Sequence, residues 1–400
     1  MSTSNIYSSG VSRRAVVAGL LGSVALSSLG GIGAARAAGD KVRIGLSHAY
    51  TGWAAAFDVA FAVGYQFAVD EVNAKGGVSG KYMIDLIKGT DTASSSVEAI
   101  KSADGLLDQG IDILYLSCDA TSAVAAGLAG QQKNVLMFPS TSTQPDVTTQ
   151  VGDWMYLANF SDNLSGGSSG IYAAKDLGAK TAYLLKSSDN TYTENVPEYF
   201  RTAFEKSGGT VLGQANYVYG QVDFGGIIAD IKKLPSEPDV ISTAAFEPDL
   251  PAFLHQIRAA GIKSRIVGAD AIDTPSFMAL GDLVEGTIVI SNRQLQAGSK
   301  YEEVATLHPE HVENSAWIVG YEAALIVFEA VRLADATDAA SIRAAVDKIV
   351  NLEVPTGTIT FTGFDRRPVV PINFLEVQGG KGVFKKAAII DPADIPAPIV

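Results

Sequence analysis

Residues 63–87, which read VGYQFAVDEVNAKGGVSGKYMIDLI, decide the fold of this chain. The first half of the stretch carries apolar residues that fall roughly on one face of a helix: Val63, Phe67, Val69 and Val72. Gly76 and Gly77 then end the helix, as glycine commonly does. A β-rich run at 82–87 follows at once. The stretch therefore predicts a helix that leads through a tight turn into a strand.

The same alternation of short β-rich runs and helical segments continues along the chain. The other runs lie at residues 42–46, 111–116, 134–138, 181–185, 210–214, 239–243 and 265–269. Such alternation predicts parallel sheets that are covered by helices on both faces. The strands are too many for one ordinary sheet of about 4–6 strands. We therefore predict an α/β protein with two doubly wound parallel-sheet lobes.

Toward its C-terminus the chain departs from this alternation. Residues 315–334 predict a long helix, and residues 341–350 predict another. Two β-rich runs follow at 356–365 and 370–384, and the second contains a Gly-Gly pair. Because a Gly-Gly pair within a β-rich run is typical of a hairpin turn, we expect an antiparallel ending.

The N-terminal segment has the features of an export signal. Arg13 and Arg14 precede a long, weakly apolar stretch rich in Gly, Ala and Ser, which ends in an A-R-A site at residues 35–37. These features predict a twin-arginine-type signal peptide at 1–37. The alternative, a permanent membrane anchor, needs about 20 strongly apolar residues. Because no cysteine follows the apolar stretch, we expect an exported, periplasmic protein without a lipid anchor.

Cleavage after Ala37 leaves 400 − 37 = 363 residues and changes the formal charge from −13 to −16, because three arginines and no acid are removed. A chain this acidic disfavours nucleic acid as a partner, since phosphates demand a basic surface. The length agrees with two domains. Cys118 is the single cysteine, so no intrachain disulfide is expected.

Three short motifs suggest catalysis or metal binding, and each has a simpler interpretation. The sequence GGSSG around Ser168 matches the nucleophile elbow of serine hydrolases, but a polar segment precedes it instead of an apolar strand. A nucleophilic Cys118 needs a nearby base that lowers its pKa, but its sequence neighbour Asp119 would raise the pKa of the thiol. His308 and His311 have no further metal ligands close in sequence. We expect no catalytic residue, no metal and no cofactor, with a Ser168 hydrolase kept as an alternative.

Polar and aromatic residues follow several predicted strands at the point where each strand ends. They are Cys118, Asp119, Thr121, Ser140, Thr141, Ser142, Thr143, Tyr192, Phe246 and Asp270. In open α/β sheets, ligands bind beyond the carboxyl ends of the strands, and the helix N-termini found there suit a carboxylate. The sequence thus predicts a small-molecule site of hydroxyls, aromatic rings and one acid. Helix capping alone is an equally good explanation for about half of these residues.

The chain also resembles the leucine/isoleucine/valine-binding family of type I periplasmic binding proteins, which serve ABC importers. The resemblance covers nearly all of the chain after the signal peptide. Its most specific part is AVDEVNAKGGVSGK at 68–81, and VRIGLSHAYTG at 42–52 and FLHQIRAAGIKSRIVG at 253–268 also fit. The resemblance implies a receptor that binds a solute without chemical change.

The family resemblance further implies two lobes that are joined by three crossings of the chain, with the ligand in the cleft between them. We expect lobe one to comprise residues 40–158 and 290–365. Lobe two would then comprise residues 159–289 and 366–395. Closure of the lobes around the ligand is the binding motion that this family implies.

Carried over from the family, the ligand contacts fall on Phe57, Cys118, Thr121, Ser140, Ser142, Tyr192, Phe246 and Asp270. Phe57 stands at the position of an aromatic residue that covers the ligand. Ser140 and Ser142 lie in the loop that binds the carboxylate and amine of an amino acid. Asp270 matches the acid that pairs with the α-ammonium group. Asp119 departs from the family pattern by adding a negative charge near the expected carboxylate.

The implied function is that of a solute-binding receptor, and not an enzyme, that delivers its ligand to an inner-membrane ABC permease. An amino acid with an apolar or branched side chain is the first ligand hypothesis. An aromatic or other small carboxylate is the second, and an amide or urea-like compound is the third. A signalling partner in place of the permease stays open. We expect a monomer.

Overall fold

The computed structural model describes residues 40–309 and 314–399. The predicted signal peptide at 1–37 and His311 lie outside the described residues. Within the described ranges, no helix combines the length and the apolar character needed to cross a membrane.

The first part of the described chain builds a parallel sheet, which we call sheet one. Its strands are β1 (Lys41–Ser47), β2 (Met83–Lys88), β3 (Ile113–Leu116) and β4 (Leu136–Pro139). They lie side by side in the order β2-β1-β3-β4, and every pair is parallel. The accompanying helices are α1 (Ala55–Ala74), α2 (Ser96–Leu107), α3 (Ala120–Gln132) and α4 (Val147–Val151). β3 and β4 are buried throughout, as parallel strands covered on both faces are.

The turn between α1 and β2 requires its two glycines. Gly76 and Gly77 have φ angles of 95° and 88°, which L-amino acids with a side chain rarely adopt. A Cβ on Gly77 would also lie 2.3 Å from the carbonyl oxygen of Tyr82. The predicted helix, turn and strand are therefore confirmed, although α1 begins at Ala55 and is longer than the periodic segment.

The next part of the chain builds the parallel strands of a second sheet, sheet two. These strands are β5 (Thr181–Lys186), β6 (Thr210–Asn216), β7 (Val240–Thr243), β8 (Arg265–Val267) and β9 (Ile288–Ser291). The helices of this part are α5 (Asp162–Lys175), α6 (Thr191–Lys206), α7 (Gly225–Lys232), α8 (Asp249–Ala259) and α9 (Pro275–Met278). All pairings among these strands are parallel.

The chain then returns to sheet one before it completes sheet two. The returning elements are α10 (Lys300–Leu307), α11 (Ala316–Ala334), α12 (Ala339–Val346), β10 (Leu352–Val354) and β11 (Gly357–Ile359). The last two strands, β12 (Ile372–Gln378) and β13 (Lys381–Ala388), form an antiparallel hairpin through Gly379 and Gly380. They extend sheet two to the order β13-β12-β9-β8-β7-β5-β6. The predicted antiparallel ending with a Gly-Gly turn is confirmed.

Within the described ranges the chain thus passes between the two sheets three times: after β4, after β9 and after β11. The predicted α/β class with two parallel-sheet lobes and three crossings is confirmed. Ile290 and Ser291 pair with β12 in sheet two, whereas the predicted border at residue 289 assigns them to lobe one. We use lobe one and lobe two for sheet one and sheet two with their packed helices.

Helices α1 and α11 approach each other closely in the core of lobe one, because two glycines face the partner helix. A Cβ on Gly64 would lie 1.7 Å from the carbonyl oxygen of Trp317, and one on Gly320 would lie 2.0 Å from that of Phe61. Phe61 and Trp317 are themselves fully buried. This contact fixes the first turn of α11 beside the start of α1, where both contribute to the site described next.

Candidate functional site

A cavity lies between the two lobes, beyond the carboxyl ends of the parallel strands. It encloses about 740 Å³ of space, part of which is open to solvent; we call it the cleft cavity. The lining residues from lobe one are Trp53, Phe57, Cys118, Thr141, Ser142, Thr143, Gln144, Ser315, Ala316 and Val319. The lining residues from lobe two and the second crossing are Asn190, Tyr192, Phe246, Asp270, Ala271 and Asn292.

The polar part of the lobe-two wall is a short hydrogen-bonded chain. Asn190 caps α6, and its side chain accepts a hydrogen bond of 2.8 Å from the backbone N–H of Tyr192. The Tyr192 hydroxyl donates to Asp270 Oδ1 at 2.9 Å and accepts from the backbone N–H of Ala271 at 3.2 Å. The cap therefore fixes the start of α6 so that the tyrosine meets the acid that follows β8.

The titration of this pair suits a cationic ligand. Burial raises the pKa of Asp270 to about 6, although the hydrogen bond from Tyr192 opposes the shift. Burial, and next the charge of Asp270, raise the pKa of Tyr192 well above its ordinary value. At neutral pH the tyrosine is then a proton donor, and most of the Asp270 population is ionised.

The lobe-one wall offers hydroxyl groups. Ser142 is buried, and its Oγ has no hydrogen-bond partner among the described residues. A buried hydroxyl without a partner costs free energy, so Ser142 has an unmet capacity to bind a polar ligand group. Thr141 and Thr143 line the cavity on either side of it. This segment follows β4 directly because Pro139 ends the strand.

Asp119 has a structural role instead of a place in the cavity wall. Its carboxylate accepts hydrogen bonds from the backbone N–H of Ser122 at 3.3 Å and from the Ser122 Oγ at 2.5 Å. It is therefore the N-cap of α3, and it is not among the cavity-lining residues. The unusual acid in this loop is explained by helix capping.

The remaining walls are largely apolar. Trp53 precedes α1, Phe57 lies in its first turn, Val319 belongs to α11, and Phe246 lies in the segment after β7. Trp53 is 52% exposed, so it lies at the mouth of the cavity. The ring of Phe246 contacts that of Tyr219, with centroids 5.9 Å apart. These side chains can enclose a hydrocarbon group.

Two hydrogen bonds connect the lobes beside the cavity. The Thr191 hydroxyl donates to Gln144 Oε1 at 2.7 Å, and Gln144 Nε2 donates to Asn190 Oδ1 at 3.3 Å. Gln144 belongs to the segment after β4, whereas Asn190 and Thr191 begin α6. One amide side chain thus connects the segment after β4 to the helix that carries Tyr192.

The charged side chain in the described cavity wall is negative, and no positive side chain balances it there. Asp270 is the acid among the described residues that line it, and no lysine or arginine is found among them. An anionic ligand group would therefore rely on hydroxyls and backbone N–H groups, whereas a cationic group has a charged partner.

The structure brings six of the eight predicted contact residues to the cavity wall: Phe57, Cys118, Ser142, Tyr192, Phe246 and Asp270. Ser140 is fully buried, and its hydroxyl donates to Asp58 Oδ1 at 2.6 Å. Thr121 is exposed on the first turn of α3. Neither of these two is a lining residue, and the ligand roles of all eight remain predictions.

Ser168 lies in the interior of α5, where it is 2% exposed and its Oγ has no hydrogen-bond partner among the described residues. A nucleophile elbow instead places its serine on an exposed turn between a strand and a helix. Small residues occur here because α5 packs closely on α6: a Cβ on Gly170 would lie 2.4 Å from the carbonyl oxygen of Phe200. This geometry gives no support to the hydrolase alternative.

Eight lining residues were not predicted from the sequence: Trp53, Gln144, Asn190, Ala271, Asn292, Ser315, Ala316 and Val319. Two of them carried a recognisable signal. Asn190 is the N-cap of α6 and lies four residues after β5, and Asn292 directly follows β9. Both therefore stand just beyond the carboxyl end of a strand, where ligands bind in open α/β sheets. The apolar Val319 gave no such signal because it fits an ordinary helix core equally well.

Residues 41–382 match the family model described as Periplasmic binding protein. The chain belongs to this family. The leucine-, isoleucine-, valine-, threonine- and alanine-binding protein of Pseudomonas aeruginosa is 22% identical to it over 347 residues, which cover 86% of this chain and 91% of that protein. The predicted family resemblance is thereby confirmed.

Solved structures agree with the fold. A leucine-binding protein from Thermotoga maritima superposes with a TM-score of 0.75 at 23% identity, covering 88% of this chain and 99% of that one. A solute-binding protein of an ABC transporter from Rhodopseudomonas palustris, in complex with 3,4-dihydroxybenzoic acid, has a TM-score of 0.73 at 20% identity, with coverages of 88% and 99%. One fold therefore carries different ligands in these two proteins.

Proposed function

We propose that this protein is the periplasmic solute-binding receptor of an ABC importer and that its ligand is an amino acid with an apolar side chain. The observation that carries the ligand assignment is the position of Asp270. It provides a single negative charge in a cavity wall that otherwise offers hydroxyls, amides and hydrocarbon. An amino acid with a hydrocarbon side chain matches this wall: its ammonium group suits the acid, its carboxylate suits the hydroxyls and amides, and its side chain suits the apolar residues.

In this arrangement the ligand's ammonium group pairs with Asp270, whose carboxylate is oriented by Tyr192. The carboxylate of the ligand binds on the opposite wall, at the unpartnered hydroxyl of Ser142 and its neighbours Thr141 and Thr143. Phe57 and other apolar lining residues enclose the side chain. Both ends of the ligand thus contact different lobes, so binding favours the closed arrangement of the cleft.

The proposed lobes comprise residues 40–158 with 290–365, and residues 159–289 with 366–395, except that Ile290 and Ser291 pair with β12 in sheet two. A ligand held by both would stabilise closure in proportion to its greater affinity for the closed state. A micromolar Kd, or about −8 kcal/mol, is sufficient for a receptor that must also release its ligand.

The proposed partner is an inner-membrane ABC permease. The proposed oligomeric state is a monomer. Export by the signal peptide at 1–37 is also part of the proposal.

An aromatic carboxylate is the second candidate ligand. Trp53, Phe57 and Phe246 can stack on or enclose an aromatic ring, and a solved relative is in complex with 3,4-dihydroxybenzoic acid. Such a ligand has no ammonium group for Asp270 and would bring its own negative charge into a cavity without a lining cation. The electrostatics of the wall therefore favour the amino acid.

A thermal-shift screen of the refolded mature protein tests the proposal. The panel holds apolar, polar and acidic amino acids, benzoate and hydroxybenzoates, and simple amides and urea. Native-state binding raises Tm with ligand concentration. A shift confined to apolar amino acids is the expected result. A shift with aromatic acids alone would replace the ligand assignment, and Ser168→Ala should leave any shift unchanged.

A further inference from the structure

Asp58 connects three separate segments of the lobe-one wall, although it does not itself reach the cavity. It lies in the first turn of α1 and is fully buried. Its Oδ2 accepts a hydrogen bond of 2.9 Å from the backbone N–H of Ala49, which follows β1. Its Oδ1 accepts one of 2.9 Å from the backbone N–H of Cys118 and one of 2.6 Å from the Ser140 hydroxyl.

Asp58 and two of its three contacts lie in or next to the cavity lining. Asp58 directly follows Phe57, a lining residue. Cys118 lines the cavity itself, and Ser140 is followed by the lining residues Thr141 and Ser142. One side chain thus fixes the start of α1 and the segments after β1, β3 and β4 relative to one another.

We propose that Asp58 is the positioning residue of the lobe-one wall, which holds Phe57, Cys118 and the Ser142 segment in the arrangement that ligand binding requires. The inference rests on the proposed solute-binding function and adds a residue that does not touch the ligand. A binding surface must be held by supporting hydrogen bonds to be pre-organised. Here a single carboxylate provides that support for three segments.

The three hydrogen bonds that position 58 accepts require an acidic side chain there. A carboxylate offers two acceptor oxygens, whereas an asparagine side chain offers one acceptor and one donor. In Asp58→Asn the amide nitrogen would face either the N–H of Ala49 or the N–H of Cys118 together with the Ser140 hydroxyl. At least one segment would lose its hydrogen bond, and at Ala49 or Cys118 two N–H donors would face each other.

The inference also changes the expected role of Ser140. Its hydroxyl proton is donated to Asp58, so Ser140 supports the wall from behind and leaves the direct polar contact to Ser142. A double-mutant cycle separates these roles. If Ser140 acts through Asp58, Ser140→Ala weakens binding in the wild-type background and has little further effect in Asp58→Asn.

The experiment measures three properties of the mature protein in parallel: Tm without ligand, Kd for the amino acid that gives the largest thermal shift, and the labelling rate of Cys118 by a maleimide. Because Cys118 is the single cysteine, labelling reports on this residue alone and needs no ligand. The rates are compared as pH profiles, because the charge of Asp58 also raises the pKa of the Cys118 thiol and only the thiolate reacts. The matched control is Asp112→Asn. Asp112 precedes β3, and its Oδ2 accepts a hydrogen bond of 2.7 Å from the backbone N–H of Arg43, at the strand end away from the cavity.

We expect both variants to have a lower Tm, and only Asp58→Asn to show a Kd raised roughly tenfold or more, since hydrogen bonds to a charged group are involved. The same variant should label at Cys118 several-fold faster than the wild type. If Asp58→Asn does not fold, Ser140→Ala removes one donor only and should raise Kd roughly three- to tenfold.

An unchanged Kd and labelling rate in Asp58→Asn would overturn the inference, because Asp58 would then contribute to stability alone. Additive effects of Ser140→Ala and Asp58→Asn would also contradict it, since Ser140 would then contact the ligand independently. If the wild-type protein binds no compound in the panel, the proposed function fails. The labelling comparison still decides the role of Asp58 in that case.

Discussion

The hydroxyl of Tyr192 donates a hydrogen bond of 2.9 Å to Asp270 Oδ1 in the lobe-two wall of the cleft cavity. This pair joins the first turn of α6 to the segment after β8, so it ties two strand-end segments of sheet two together. It also orients the acid of the cavity wall. The ligand assignment depends on this pair.

Removing the charge of Asp270 should weaken amino-acid binding far more than removing the tyrosine hydroxyl. Asp270→Asn should raise Kd roughly 30-fold or more, because the ligand's ammonium group would be buried without its partner. Tyr192→Phe should raise it roughly three- to tenfold, since the acid keeps its charge but loses its orienting bond. Titration calorimetry measures both.

Tyr172→Phe is the control for these variants. Tyr172 stacks on Phe374 away from the cavity, with ring centroids 4.1 Å apart, so its hydroxyl should not affect Kd. Equal Kd values for Asp270→Asn and the wild type would exclude the proposed ammonium contact.

Amino-acid binding should weaken as pH falls below about 6, because burial raises the pKa of Asp270 to about 6. A protonated Asp270 cannot form the ion pair, so Kd should rise by up to roughly tenfold for each pH unit below that value. Between pH 7 and 8 it should be nearly constant. Asp270→Asn should remove the change between pH 5 and 7. A wild-type Kd that stays constant over this range would contradict the prediction.

The stability of the protein should decrease between about pH 4.5 and 8 through Glu322. This residue on α11 accepts hydrogen bonds from the backbone N–H and the hydroxyl of Thr356, at 2.8 and 2.9 Å. Burial nevertheless raises its pKa from 4.5 to about 8. The folded protein therefore binds more protons than the unfolded chain in this window, and the free energy of unfolding falls as pH rises.

Glu322→Gln should remove this contribution, so its Tm should fall less than that of the wild type between pH 5 and 8.5. Glu329→Gln on the same helix is the control and should keep the wild-type dependence. Differential scanning calorimetry at matched ionic strength gives the comparison. Parallel curves for Glu322→Gln and the wild type would show that Glu322 contributes no such dependence.

The contact between α1 and α11 should not tolerate a methyl group. In Gly320→Ala the new Cβ would lie 2.0 Å from the carbonyl oxygen of Phe61, so the helices must separate. We expect a loss of about 3 kcal/mol in the free energy of unfolding. Gly105→Ala in α2 is the matched control, since its Cβ would meet no atom within 4 Å.

Urea denaturation monitors both glycine variants. Gly105→Ala should be neutral or stabilising by up to about 1 kcal/mol, because alanine is the better helix former. If Gly320→Ala were as stable as Gly105→Ala, the close helix contact would not exist in solution.

The fold was largely predictable from local patterns. The alternation of β-rich and helical segments reports directly on parallel sheets, and the glycine pairs at 76–77 and 379–380 mark turns that only glycine forms easily. The return of α11 to lobe one was expected from the family resemblance alone. The order of strands within each sheet could not be predicted, because it depends on contacts between elements that are distant in sequence.

The candidate site was predictable where a residue lies two or three positions after the end of a strand, as Cys118, Phe246 and Asp270 do. Asp58 was missed because it lies on a helix, and its three contacts come from segments up to 82 residues away. Ser140 was assigned to the ligand because a serine after a strand looks the same whether it faces the cavity or the core. Only the packed structure shows that its hydroxyl donates to Asp58.

Pairing of Asp270 with the ammonium group of the ligand is tested directly by one calorimetric series. Refolded mature protein is titrated with L-leucine, with 4-methylpentanoate, which lacks the amine, and with L-leucinamide, which lacks the carboxylate. We expect binding of L-leucine, much weaker binding of 4-methylpentanoate, and loss of this preference in Asp270→Asn. Equal or tighter binding of 4-methylpentanoate by the wild-type protein would contradict it.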